Sequence, residues 1–351
     1  MRAATVIPGR PDSAGLDELP DPEPAEDELL VAGLLVGVCG TDLDVLHHPG
    51  AGEPPAGRER MVLFHESFGR VVSAPPDSGF TAGDLVTGVV RRPDPVPCPS
   101  CARGRWDLCR NGRYTERGIR GLDGFGAQLW TVEPRFALKL DPALGELGVL
   151  TEPCSVIAKA WEQAEQLGRV IGNEPRVALV TGAGPIGLLA TLLGVQRGLD
   201  VHVLERATDG PKPDLVRQLG ATHHDSFDSV DSAHLDPDVV IECTGAGEVL
   251  FGALRRTARN AVMVLTGISG EAAHVTVPGG AVNDELVLEN DLLVGSVNAA
   301  FHHYRQAAEA LAAADHEWLR QLITRRVPLG RWTEALERRP DDVKVVVDLQ
   351  G

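Results

Sequence analysis

The run "RVALVTGAGPIGLLATLLGVQRG" constrains this chain more than any other stretch. An apolar, strand-like segment leads into Gly182, Gly184 and Gly187, and an apolar, helix-like segment leads out. Glu205 closes the next strand-like run, "DVHVLER", 18 positions past Gly187. Three glycines spaced G-x-G-x-x-G mean little alone; between a strand and a helix, with an acidic residue following, they form a dinucleotide-binding turn. Gly182 permits the tight turn, Gly184 lets the backbone approach a pyrophosphate, and Gly187 lets helix and strand pack closely. The helix start, with Pro185 and Ile186, turns backbone N–H groups toward the phosphates. Glu205 is placed to accept hydrogen bonds from the adenosine ribose, which favours NAD. Its carboxylate repels the 2′-phosphate of NADP, while Arg206 next to it offsets that repulsion, so both nucleotides stay open.

Around this turn the chain alternates: "DVHVLER", "PDLVRQLGA", "DVVIECTG", "LFGALRRTA", "AVMVLTGIS". Strand and helix in alternation predict an α/β fold with a doubly wound parallel sheet. The first 150 residues or so differ, with many Gly and Pro and short β-type runs such as "ELLVAGLLVGVC", "GRVVSA" and "DLVTGVV". A helix is predicted from "TEPCSVIAKAWEQAEQLG", where Val156, Ile157, Ala160, Trp161, Ala164 and Leu167 share one face. The stretch "FHHYRQAAEALAAADHEWLRQLITRRVPLGRWTEALERR" reads as helices joined by a turn, and "DVKVVVDL" as a last strand returning to the first domain. "ELVLENDLLVGSV" reads as a strand beside "AVMVLTGIS".

At 351 residues the chain suits two domains. A net charge of -17 argues against nucleic acid and anionic membrane as partners. The N-terminal residues lack the apolar stretch of a secretory signal, and no run approaches the ~18 apolar residues of a membrane span. A cytoplasmic protein is expected, in which close-spaced cysteines mean metal more often than disulfide.

"VGVCGTD" carries Cys39, Thr41 and Asp42; "MVLFHESFG" carries His65 and Glu66; "LTEPCSV" carries Glu152. A catalytic zinc takes three ligands from Cys, His and carboxylate and keeps one position open, and these residues supply the types. Each has a plainer alternative: a core thiol, a turn, a charge at a helix start.

The order "GVCGTD", "HE", a cysteine lobe, "TEP" and "GAGPIG" resembles the zinc-dependent medium-chain dehydrogenases along essentially the whole chain. "GRERMVLFHESFGRVV", "RRP", "YTERGIRGLDGFGAQLW", "LTEPCSVIAKA", "LVRQLGAT" and "GSVNAAFHHYRQA" further resemble the archaeal-type glucose 1-dehydrogenases. The resemblance implies a GroES-like, β-rich catalytic domain from residues 1–157 and 298–351, with a Rossmann domain at 158–297. It implies that Cys39, His65 and Glu66 bind zinc, with Glu152 approaching the metal or the sugar. Thr41 would hold the reacting hydroxyl, and Glu116 and Asn298 other hydroxyls. Thr244, Gly267, Ile268, Ser269, Ser296, Val297 and Asn298 would line the nucleotide. A homodimer or homotetramer is implied on the same ground. Asp44, His47 and His48 are chain-near candidates for a proton exit, set against a plain surface reading. Phe64 departs from the family, which has Gly before the His-Glu pair; a benzyl group there is expected to reshape the substrate pocket.

The lobe "RRPDPVPCPSCARGRWDLCRNG" matches three of the four cysteines of the family's structural zinc, C-x-x-C-x-x-C-x7-C, with Cys98, Cys101 and Cys109. Pro95 stands where the first thiolate should be, and a structural zinc with Asp94 or water as fourth ligand is expected; the alternative is a metal-free lobe held by packing. Cys154 and Cys243 are expected to be buried thiols. The leading expectation is a sugar dehydrogenase transferring hydride from C1 of an aldose to NAD(P). A polyol or secondary-alcohol dehydrogenase is the second reading, kept open by Phe64, and a non-catalytic NAD(P)-binding protein the third.

Overall fold

The computed structural model describes residues 1–269 and 274–351. The chain divides into two compact units, Met1–Glu152 with Ala299–Gly351, and Pro153–Asn298. The first division falls in the opening turn of the helix Thr151–Ile171 rather than after residue 157. In that helix Ile157, Ala160, Trp161 and Ala164 are buried, and Val156 and Leu167 half-buried.

The first unit is built on a seven-stranded sheet. Its centre is Leu29–Gly37, whose apolar residues face the core at alternate positions. This strand pairs antiparallel with Glu66–Ser73 on one side and with the C-terminal strand Lys344–Asp348 on the other. The chain's tail therefore completes the sheet begun at its start, as "DVKVVVDL" suggests. The stretch before it needs correction. Phe301–Ala312 and His316–Leu322 are helices, but Ile323–Pro328 is a strand parallel to Lys344–Asp348. Its burial alternates, and Arg325 is tied to Asp342 at 2.6 Å, so period-2 packing wins over the helical reading.

The second unit is a six-stranded, all-parallel sheet. From edge to edge its strands are Thr222–His224, Asp200–Leu204, Val177–Thr181, Val239–Glu242, Val262–Leu265 and Leu292–Gly295. The first strand in sequence lies at the centre and the order reverses around it, the doubly wound arrangement. Leu179, Leu204, Val240, Leu254 and Met263 form part of its core. The short strand Thr222–His224 and helix Phe227–Ser232 are not legible in the sequence, being only three and six residues long. In "ELVLENDLLVGSV" the first residues end a helix, Gly279–Leu288, and only Leu292–Gly295 is strand. Among the described residues no helix is long and apolar enough to cross a membrane.

Phe64 has φ 70°, the left-handed region, and is fully buried. Its ring meets Trp332 edge-on, centroids 5.6 Å apart, and a Cβ on Gly126 would lie 2.7 Å from its Cδ2. The left-handed backbone costs about 1–2 kcal/mol. Burying a Phe gains about 1.5–3 kcal/mol and a T-shaped pair about 0.5–1.5 kcal/mol more, so the packing wins. The ring is fully buried in the core, where the expectation was that it would face the substrate pocket.

Candidate active site

Cys39 ends the sheet strand's extension and caps the helix Gly40–His47. Its N–H donates to Asp42 Oδ2 at 2.8 Å, and its thiol lies 3.8 Å from the Thr41 hydroxyl. His65 and Glu66 enter from the neighbouring strand, where Glu66 is in register with Gly37. The ligand atoms of Cys39, His65 and Glu66 lie within 4.8 Å of one another. Thiol, imidazole and carboxylate are a donor set that zinc accepts, and three ligands leave a position for substrate. The three named residues thus fit a catalytic metal by donor type and by proximity.

Two partners of this cluster were given no supporting role from the sequence. Asp42, fully buried, turns Oδ1 to His65 Nδ1 at 3.3 Å. A carboxylate behind a histidine fixes the ring's orientation and raises its basicity as a ligand. Without metal, burial pulls the His65 pKa down, but Asp42 and Cys39 outweigh it and hold the imidazole well above its ordinary value. Lys344, also buried, forms an ion pair with Glu66 and donates to Val38 O at 2.9 Å. Burial again opposes the charge, and Glu66, Cys39 and Glu152 together raise the ammonium's pKa above the usual lysine value. A Cβ at Gly37 would sit 1.9 Å from Glu66 Oε2 and 2.8 Å from Lys344 Cε, so only glycine lets this pair meet across the strand.

Glu152 is buried beside the cluster, but its oxygens fall outside the set of three ligand atoms. Burial pushes its pKa up to about 7, Glu66 and Asp42 add to the rise, and His65 and Lys344 oppose it. Between the ordinary value of 4.5 and about 7 the folded chain therefore holds a proton that the unfolded chain releases, and stability falls as pH rises. Glu152→Gln is expected to raise the melting temperature of chelated protein at about pH 8 and to change nothing at about pH 4. Thermal melts at the two pH values check this; equal shifts at both would contradict it.

Glu116 is buried against Arg91, whose Nε and Nη2 both approach its Oε1 at 3.0 Å. It lines a cavity of about 400 Å³ with Gly52, Glu53, Ile119 and Arg120; Cys39, His65 and Glu66 do not line it. Asp44 and His48 approach to 3.8 Å at the exposed end of helix Gly40–His47, where His47 is exposed too.

In the lobe, the sulfurs of Cys98, Cys101 and Cys109 also lie within 4.8 Å of one another. Asp94 stands outside this set. Its carboxylate accepts from Val96 N–H and Asn111 Nδ2, both at 2.8 Å, and from Arg113 Nε at 3.2 Å. The expectation that it replaces the missing thiolate is corrected by these bonds. Cys154 is fully buried and Cys243 half-buried, and burial pushes both thiols up to about 12.

The second unit carries a cavity of about 800 Å³ at the carboxyl ends of its strands, lined among others by Gly182, Glu205, Arg206, Phe227, Thr244 and Ser269. Gly182 has φ 84°, and a Cβ at Gly187 would lie 1.8 Å from Gly182 O, so both positions require glycine. Gly184 caps the helix Pro185–Gln196, in which Pro185 and Ile186 are the first two residues. Glu205 accepts from Ala183 N–H at 2.9 Å and Ala207 N–H at 3.2 Å, which fixes its carboxylate in the cavity wall. Glu242, fully buried and also missed in the sequence, accepts from Thr181 Oγ1 and from the N–H groups of Thr244 and Gly245. Gly267 N–H donates to the Glu242 carbonyl, and Ser269 Oγ to Gly245 O. Ile268 and Val297 are exposed, and Ser296 N–H donates to Leu265 O. Lys159 donates to Val297 O at 2.8 Å, and Asn298 follows at φ 61°.

Comparison with known proteins is consistent along the chain. The family model described as glucose dehydrogenase C-terminus matches residues 145–349, and that described as alcohol dehydrogenase GroES-like domain matches 25–142. A glucose 1-dehydrogenase of Thermoproteus tenax is 37% identical over 356 residues, covering 100% of both chains. One of Methanocella arvoryzae is 34% identical, covering 99% of each. Among solved structures, Haloferax mediterranei glucose dehydrogenase in complex with NADP, Zn and gluconolactone has a TM-score of 0.90 at 32% identity, covering 99% of each chain.

Proposed function

This chain belongs to the glucose dehydrogenase family of the zinc-dependent medium-chain dehydrogenases, and we propose that it oxidises an aldose, glucose or a close relative, at C1 with a nicotinamide nucleotide and gives the aldonolactone. The observation that carries the reading is the convergence of Cys39, His65 and Glu66 within 4.8 Å, backed by Asp42 and Lys344.

Cys39, His65 and Glu66 would hold Zn²⁺, which as a Lewis acid lowers the pKa of a sugar hydroxyl. Asp42 keeps the His65 ring in place and Lys344 balances the Glu66 charge, so the ligands are held in position by their neighbours. Thr41, beside Cys39, takes the hydroxyl proton and passes it toward solvent. A bound nicotinamide would supply the acceptor for the hydride lost from C1 as the carbonyl forms. Glu116 would accept from another sugar hydroxyl, and Glu152 would serve the sugar rather than the metal. A polar site of this kind rejects an analogue that lacks a hydroxyl, because a buried acceptor is then left unpaired. Phe64, packed in the core, gives no ground for a polyol in place of a sugar.

Gly182–Gly187 would hold the phosphates of the nucleotide, Thr244 would line it, and Gly267–Ser269 and Ser296–Asn298 would line its nicotinamide. Glu205 favours NAD, since a 2′-phosphate would meet its carboxylate, while exposed Arg206 keeps NADP usable. Two copies pair through the edge strand Leu292–Gly295, where Leu293 is exposed and Val287 and Leu288 add apolar surface. The reaction is placed in the cytoplasm, where close-spaced cysteines persist as thiols.

The test is nicotinamide reduction over a panel of aldoses and polyols, with NAD and NADP separately, before and after chelation. Chelator-sensitive turnover of glucose or a close aldose, faster with NAD, is expected. Turnover confined to open-chain polyols would overturn the sugar, and a preference for NADP would overturn the role given to Glu205.

A further inference from the structure

Glu242 is a fully buried carboxylate that the chemistry described so far does not use. It ends the strand Val239–Glu242, after three buried apolar residues, at the carboxyl edge of the sheet where the nucleotide cavity lies. In the sheet it is in register between Thr181 and Leu265, the residues that lead into the Gly182 turn and into Thr266–Ser269. A buried carboxylate is costly unless its oxygens are hydrogen-bonded. Here Oε1 accepts from Thr181 Oγ1 at 3.1 Å, from Thr244 N–H at 2.8 Å and from the Thr244 hydroxyl. Gly245 N–H reaches both oxygens, at 3.1 and 3.2 Å. On its other side the carboxylate abuts the third segment: a Cβ at Gly267 would lie 2.8 Å from Glu242 Oε2 and 2.1 Å from Gly245 N. Ser269 Oγ closes the contact by donating to Gly245 O at 2.5 Å.

We propose that Glu242 is a positioning residue for the nicotinamide half of the nucleotide, an inference that rests on the dehydrogenase reading above. Thr244 and Ser269 line the cavity, whereas Glu242 and Thr181, both fully buried, lie behind it. The carboxylate therefore acts through the Thr244–Gly245 turn, which it fixes against Thr181 on one side and Gly267 on the other. The phosphate turn has supports of its own: Gly182 N–H donates to Leu204 O at 2.7 Å, and Ala183 N–H to Glu205 at 2.9 Å. Loss of the Glu242 charge should thus loosen one half of the nucleotide site and spare the other. A glutamine keeps the size, but one of its polar ends is a donor, which cannot accept from the N–H and hydroxyl groups gathered here.

The test is calorimetric titration of the zinc-loaded enzyme in the absence of sugar. The titrants are NAD or NADP, whichever the wild type binds more tightly, and the same nucleotide without its nicotinamide ring, ADP-ribose or its 2′-phosphate. In Glu242→Gln the Kd of the whole nucleotide is expected to rise about tenfold, as for a lost hydrogen bond to a charged group, while that of the fragment changes less than about twofold. Thr181→Val removes one donor from Oε1 and leaves the carboxylate in place. It is expected to show the same selective loss at about threefold, and it decides the matter if Glu242→Gln does not fold. Equal losses for nucleotide and fragment would make Glu242 a general support of the sheet and overturn the proposal, as would unchanged affinity for both. A wild type that binds the nucleotide but oxidises no sugar overturns the functional reading instead, and the titrations still decide the role of Glu242. A wild type that binds no nucleotide overturns both.

Discussion

Cys39→Ala is expected to remove sugar oxidation almost completely while the chain still folds. Cys39 contributes one of three ligand atoms clustered within 4.8 Å, and no other thiol lies in that set. A Lewis acid at a reacting oxygen supplies several kcal/mol of charge stabilisation, so its loss lowers kcat/KM by about 10³–10⁴-fold. Zinc content at this site should fall with activity, because two ligands are a poor match for a metal that prefers four-coordinate geometry. The residue itself is half-buried at a helix start, and replacing a sulfur with hydrogen there removes little packing. The assay is steady-state turnover with zinc analysis, beside a far-ultraviolet spectrum and a melt. Activity within tenfold of wild type at full zinc occupancy would show that the cluster is not the catalytic centre.

Lys344→Met should give the largest loss of stability. The wild-type ammonium is buried, pairs with Glu66 and donates to Val38 O. Removing one partner of a buried pair strands the other charge and costs about 3–5 kcal/mol, far more than such a pair is worth against a hydrophobic isostere. The sign with pH follows from the raised lysine pKa: the contribution is complete below the ordinary value of 10.5 and fades as pH climbs through the higher folded value. The deficit in the chelated variant is therefore expected to be constant from about pH 7 to 9. Urea denaturation should move the midpoint with little change in slope. Lys344→Met with Glu66→Gln should recover most of the loss, since the stranded charge goes too. A single-variant loss below about 1 kcal/mol would place the pair in the class of exposed ion pairs and refute this account.

Sequence alone determined the features whose causes are local. Gly182, Gly184 and Gly187 between an apolar strand and an apolar helix, with Glu205 after the next strand, define the nucleotide turn because backbone conformation and close approach are decided within a few residues. Cys39, His65 and Glu66 are legible because their types suit one metal, and their order suits one family. The tertiary structure decided what depends on strand register and on which way a side chain turns. Lys344 meets Glu66 only because the last strand pairs with Leu29–Gly37, which also pairs with the strand of Glu66, and because Gly37 leaves room between them. Phe64 adjoins His65 in the chain, yet its left-handed backbone sends the ring into the core toward Trp332. Asp94 is next to the lobe's missing thiolate, yet its carboxylate bonds Asn111 and Arg113 instead. Spacing along a chain reports residue type and local backbone; it carries no record of partners brought across a sheet, and those partners set the charge and the rigidity of this site.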